Sequence, residues 1–120
     1  MDRCAGYGRP ASVISVHLTP QEAAARIEAG EADLIDVREP YEYEAGHVNG
    51  ARHVPLEELA AFAQEVDPDR PLIFVCRIGG RSAMATDAFR GAGFDAYDLS
   101  GGVLAWERAG LPFTGAVADH

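Results

Sequence analysis

The run Pro71-Leu72-Ile73-Phe74-Val75 constrains this chain more than any other segment. It is short, continuously apolar and β-branched at two positions, as a strand buried on both faces is. Such a strand needs helices on either side of its sheet, so it points to an α/β fold. Cys76 follows the run at once, and Arg77-Ile78-Gly79-Gly80-Arg81-Ser82 follow the cysteine. Ser82 reads as the N-cap of a helix through Met84, Ala85, Ala88 and Phe89, ended by the Gly91/Gly93 region.

The rest of the chain fits the same fold class. Val13-Ile14-Ser15-Val16 reads as a short strand. Thr19-Pro20-Gln21-Glu22 opens a helix: Thr19 caps, Pro20 suits the first helical position, and Glu22 stands where a capping-box carboxylate belongs. Gly30 ends it. Leu34-Ile35-Asp36-Val37 is an apolar strand broken by one acid. Residues 38–50 are polar and close on an Asn49-Gly50 turn signal, and Ala51 to Val54 forms a further short strand. Pro55 starts a helix with Leu56, Leu59, Phe62, Ala63 and Val66 at helical spacing. Ala96-Tyr97-Asp98-Leu99 is the last strand, and a Gly101-Gly102 turn leads to a helix around Trp106 that Gly110-Leu111-Pro112 stops. This order predicts a mostly parallel five-stranded sheet with helices on both faces. Ligands in such folds bind at the carboxyl ends of strands, where Cys76 stands. With 120 residues the chain is one domain. Residues 1–12 read as a flexible leader, 13–115 as the domain and 116–120 as a short tail.

The formal net charge is −9. An acidic surface repels phosphate backbones and anionic membranes, so neither nucleic acid nor a membrane is an expected partner. An anionic substrate has to be drawn by a local cationic pocket. The two cysteines, Cys4 and Cys76, do not form a secreted disulfide framework. The first ten residues lack the apolar core of a signal peptide. The expected compartment is a reducing cytoplasm.

A glycine-rich loop between a buried strand and a helix N-terminus is a cradle for an anion. Gly79 and Gly80 ease its curvature, and Arg77 and Arg81 bring positive charge. A cysteine at the mouth of such a loop holds its proton weakly, and its thiolate is a nucleophile. The competing reading is a small buried hydrophobe that ends a core strand.

The run Cys76-Arg77-Ile78-Gly79-Gly80-Arg81-Ser82 resembles the active-site loop of the rhodanese family. Leu34-Ile35-Asp36-Val37-Arg38-Glu39, with Glu42-Tyr43-Glu44 and Gly46 to Ala51, resembles the family's N-terminal signature. Ser100-Gly101-Gly102 through Ala105-Trp106, then Gly110-Leu111-Pro112, resembles its C-terminal one. The matches run in family order from about residue 17 to 113. The resemblance implies a single-domain thiosulfate sulfurtransferase without a cofactor. Cys76 would take sulfur from a small anionic donor and pass it, as a persulfide, to cyanide, a thiol or a protein acceptor. The loop N–H groups and Arg81 would hold the sulfonate end of the donor, with Arg77 beside the nucleophile at the pocket rim. Related phosphatases place five residues between Cys and Arg. Here four, Arg77 to Gly80, separate Cys76 from Arg81, so a phosphatase or arsenate reductase is the weaker alternative. A non-catalytic binding or regulatory module is the other alternative, and such modules usually lack the cysteine.

Asp36 needs a buried partner. It reads as structural support near the Cys76 loop rather than as a catalytic group. Arg38 is placed to share its side of the strand, or to pair with Glu44 and pin the 38–50 segment. The resemblance places His47 in a structural turn. His17, His47 and His53 show no metal-ligand spacing with either cysteine, so no metal is expected. Trp106 reads as a core or pocket-wall residue, and Cys4 as an incidental thiol.

Overall fold

A computed structural model describes residues 16–118. The elements follow in the order β1 (His17–Leu18), α1 (Pro20–Glu28), β2 (Asp33–Asp36), α2 (Pro40–Ala45), β3 (Gly46–Val48), β4 (Arg52–His53), a 3-10 turn (Leu56–Glu58), α3 (Leu59–Ala63), β5 (Leu72–Val75), α4 (Gly80–Gly91), β6 (Ala96–Leu99), α5 (Gly102–Arg108) and β7 (Phe113–Gly115). Five strands form one sheet in the order β1-β6-β5-β2-β4, and every pair in it is parallel. This is the α/β architecture that the apolar run at 71–75 implies.

Strand alternation divides the core in two. Leu34, Ile73, Val75, Tyr97 and Leu99 pack with α1 and α5, through Ala23, Val103 and Trp106. Ile35, Val37, Leu72, Phe74, Cys76 and Ala96 pack with α3 and α4, through Leu59, Phe62, Ala85 and Phe89. On that second face Phe89 stands against Phe74 and Phe94, with ring centroids 4.8 and 4.9 Å apart in tilted pairs. All four β5 residues are buried, because helices cover both sides of a central strand.

The boundaries differ from the sequence reading in several places. The first strand among the described residues is His17–Leu18. Val13 to Ser15 lie outside the described residues, and Val16 only lends its carbonyl to Asp98 N. The 38–50 segment holds a short helix, α2, and the strand β3. Glu39 N donates to the Glu42 carboxylate at 2.9 Å, an N-terminal closure that needs no Ser or Thr cap. The helix expected from Pro55 begins as a 3-10 turn and becomes helical only over Leu59–Ala63. β3 and β7 form a small antiparallel sheet that the sequence reading lacks. Its strands meet at Gly46 and Gly115, and a Cβ on Gly46 would overlap the Ala116 backbone. The Thr19–Glu22 capping box forms as expected: Glu22 N donates to Thr19 Oγ1 at 3.1 Å, and Thr19 N to Glu22 Oε1 at 2.9 Å.

Candidate active site

Cys76 leaves the end of β5 toward the α3/α4 face, because Phe74 two residues earlier points that way. Its backbone is held from beneath by α5. Val103 N donates to the Cys76 carbonyl at 2.8 Å, and Leu104 N to the Arg77 carbonyl at 3.2 Å. That approach requires glycine at 102, where φ is +66° and a Cβ would run into the Arg77 and Cys76 carbonyls.

Above the strand end the chain turns at Gly79, whose φ of +133° suits glycine. The turn brings Gly79 N–H to within 3.1 Å of Cys76 Sγ, and Ser82 N–H to 3.4 Å. Both donors belong to the first turn of α4 or the residue before it, so the helix dipole adds to them. The sulfur is therefore buried (the residue is 1% exposed) and yet faces N–H groups, not apolar carbon alone. Cys76 thus packs in the α3/α4 core while its sulfur faces the loop amides.

Ser82 is not the N-cap. Gly79 takes that position, Gly80 opens the helix, and Ser82 is its third residue. The positive φ at Gly79 starts the helix three residues earlier than a serine cap would. Ser82 is fully buried, and its hydroxyl donates to Asp98 Oδ1 on β6 while lying 3.4 Å from Cys76 Sγ.

Arg81 is engaged by Glu42 of α2, Nη1 to Oε1 at 2.7 Å and Nη2 to Oε2 at 2.9 Å. This two-armed bond is the main reason that the Glu42 carboxyl is held below its ordinary value, against the opposing effect of burial. The same bond raises the Arg81 guanidinium further above its ordinary value. Arg77 turns away: its Nε donates to the Ala118 carbonyl at 2.8 Å, so it braces the C-terminal segment. Ile78 is exposed.

Asp36 and Arg38 form a fully buried pair, with Arg38 Nη1 left without a hydrogen-bond partner among the described residues. Arg38 Nε donates to Oδ1 at 2.9 Å, Nη2 to Oδ2 at 2.7 Å, and the Arg38 backbone N–H to Oδ1 at 3.1 Å. Arg38 Nη2 also donates to the Gly46 carbonyl at 2.8 Å. The expected Arg38–Glu44 pair is thus replaced. Arg38 is inside the protein, and the nearest acid that can neutralise it there is Asp36. The pair fastens the end of β2 to the start of β3. His47, expected in a structural turn, lies instead in β3, with Nδ1 2.8 Å from the Tyr43 carbonyl and its ring stacked on Tyr43 at 4.0 Å. Trp106 is a core residue whose Nε1 donates to the Pro112 carbonyl at 3.0 Å. Cys4 lies outside the described residues.

The sequence reading missed Glu42, Asp98 and His17. Asp98 carried the signal used for Asp36, an acid inside an apolar strand. Glu42 had no such mark, because it belongs to a polar segment.

Comparison with known proteins agrees with this geometry. Residues 19–109 match the family model described as the rhodanese-like domain. The rhodanese-like domain of an Anabaena protein superposes with a TM-score of 0.76 at 27% identity, covering 89% of each chain. A rhodanese-related protein of Thermoplasma volcanium gives 0.75 at 26% identity, covering 82% of this chain and 96% of that one. The thiosulfate sulfurtransferase of Pseudomonas aeruginosa gives 0.75 at 28%, over 90% of this chain and 23% of that one. Among curated proteins, the HTH-type transcriptional regulator Rv0324 of Mycobacterium tuberculosis is 43% identical over 107 residues, 86% of this chain. The chain spans about half the length of that relative, 47%. Fold, loop and family model converge over most of the sequence, and the chain belongs to the rhodanese-like domain family.

Proposed function

We propose that this chain is a sulfurtransferase that carries sulfane sulfur as a persulfide on Cys76. The observation that carries the reading is the ring of donors at the sulfur: Gly79 N–H at 3.1 Å and Ser82 N–H at 3.4 Å, at the N-terminus of a twelve-residue helix. Donors so placed favour an anionic sulfur over a neutral one. The likeness to the Pseudomonas thiosulfate sulfurtransferase supports it.

The Cys76 thiolate attacks the outer sulfur of thiosulfate. A new S–S bond forms, the old one breaks, and sulfite leaves with its electron pair. The terminal sulfur of the persulfide now bears the negative charge. An acceptor such as cyanide or a thiolate attacks that sulfur, and Cys76 departs as a thiolate. No cofactor enters the balance. Gly79 N–H and Ser82 N–H hold the anion at each stage. Arg81, its charge shared with Glu42, serves the loop as a brace and lends positive potential to an arriving anion. The same reading places the protein in a reducing cytoplasm, where Cys76 stays free.

Incubation with thiosulfate followed by intact mass measurement tests the proposal. The protein should gain one sulfur atom, and Cys76→Ser should abolish the gain. No gain from thiosulfate or from a persulfide donor would refute it.

Two observations favour a second reading, a sulfur- or redox-sensing module. Cys76 is buried, and the curated relative is a transcriptional regulator. Cys76 would then be modified without turnover. Loading without release to cyanide or a thiol is its signature.

A further inference from the structure

Asp98 is 3% exposed and stands in a strand whose other residues, Ala96, Tyr97 and Leu99, are apolar. A carboxylate so placed needs donors. It has two. The Ser82 hydroxyl donates to Oδ1, and His17 Nδ1 lies 3.0 Å from Oδ2, directly across the β1–β6 register.

The Ser82 hydroxyl has one hydrogen. While that hydrogen is on Asp98, Ser82 offers a lone pair to Cys76 Sγ, 3.4 Å away. The sulfur thus meets two N–H donors and one acceptor backed by a carboxylate. A thiol is well served there, because its S–H can donate to Ser82 Oγ. An anionic sulfur is opposed, both by the lone pair and by a like charge one hydroxyl beyond it.

We propose that Asp98 is a positioning residue that restrains the anionic form of Cys76 by holding the hydroxyl hydrogen of Ser82. An anionic sulfur, thiolate or persulfide, has to draw that hydrogen back from Asp98. His17 eases the exchange, because it keeps a donor on the carboxylate that Ser82 leaves. The role in sulfur transfer rests on the persulfide reading, whereas the restraint itself is a property of the ground state. The other charged and titratable groups near Cys76 are Arg81 of α4, Glu42 bound to it from α2, and Tyr41 of α2. From β2 comes the buried Asp36–Arg38 pair. None of these contacts Asp98 through a described hydrogen bond.

The test is the rate of iodoacetamide alkylation of Cys76 against pH, in full-length chain carrying Cys4→Ala so that one thiol reports. Each rate is normalised to its own alkaline plateau. Asp98→Asn removes the charge at nearly constant shape. Its normalised rate at about pH 6 should rise at least ~3-fold over the parent. An unchanged or lower value overturns the proposal. If Asp98→Asn does not fold, His17→Ala decides. Its normalised rate should fall about 2-fold, since the carboxylate then holds Ser82 more firmly. A rise or no change there overturns it. A merely structural role for Asp98 would lower the unfolding temperature without moving the normalised rate. Alkylation needs no sulfur donor, so failure of thiosulfate loading would leave this result standing and refute only the sulfurtransferase reading.

Discussion

Glu42 and Arg81 stand 39 residues apart in sequence and meet in a two-armed ion pair, 2.7 and 2.9 Å, that ties α2 to the first turn of α4. One of the same carboxylate oxygens also takes the Glu39 N–H at 2.9 Å. A single acid therefore closes one helix and locates the start of another.

Glu42→Gln should lower stability by about 1–2 kcal/mol at neutral pH. This is less than a fully buried pair would cost, because the Arg81 side chain is 34% exposed. The folded chain holds the Glu42 carboxyl below its ordinary 4.5. The pair's contribution is thus fully present above that ordinary value and is lost as pH falls through the lowered one. Urea unfolding of both proteins should show a gap at neutral pH that closes as the pH is taken below the ordinary carboxylate value.

Arg38→Leu should cost about 3–5 kcal/mol, because it strands the Asp36 carboxylate in the interior. The double change Asp36→Leu with Arg38→Leu should cost less than the sum of the single ones. Chemical denaturation of the four proteins of the cycle measures the coupling. Additive losses would mean that the two charges do not depend on each other.

Gly102→Ala should destabilise by about 3 kcal/mol or more and slow sulfur loading, because its Cβ collides with the carbonyls on either side of the Cys76–Arg77 bond. Gly50→Ala is the control. Its φ is +86° but nothing lies within 4 Å of the new carbon, so it should cost about 1–2 kcal/mol and leave loading unchanged. Thermal unfolding and the loading rate by mass spectrometry separate the two.

Tyr43→Phe removes the hydroxyl that donates to the Ala51 carbonyl at 3.0 Å but keeps the ring between His47 and His53. The expected loss is about 1 kcal/mol in urea unfolding, with loading rate unaffected. A loss of loading would give this stack a part in the site.

The central strand, the cysteine at its end and the parallel sheet were legible because each rests on local chemistry. An apolar run of four or five residues, a glycine pair and a capping box act within a few positions of themselves. The partners of the site were not legible, since they come from distant segments. Nothing in Glu42 names Arg81, and nothing in His17 names Asp98 until β1 and β6 lie side by side. Asp98 itself was within reach: the argument made for Asp36 applied to it unchanged. The β3–β7 sheet was hidden for another reason. Two three-residue strands that meet at glycines carry no alternation to read.

The grip of α5 on the Cys76 and Arg77 carbonyls and the grip of α2 on Arg81 are independent. The segment that carries Cys76 is therefore a short bridge resting on two piers that belong to other parts of the chain. Ile78, at its crown, faces solvent beside Leu104 and Ala105 of α5. Variation at that exposed position should leave the hydrogen bonds that hold the sulfur in place.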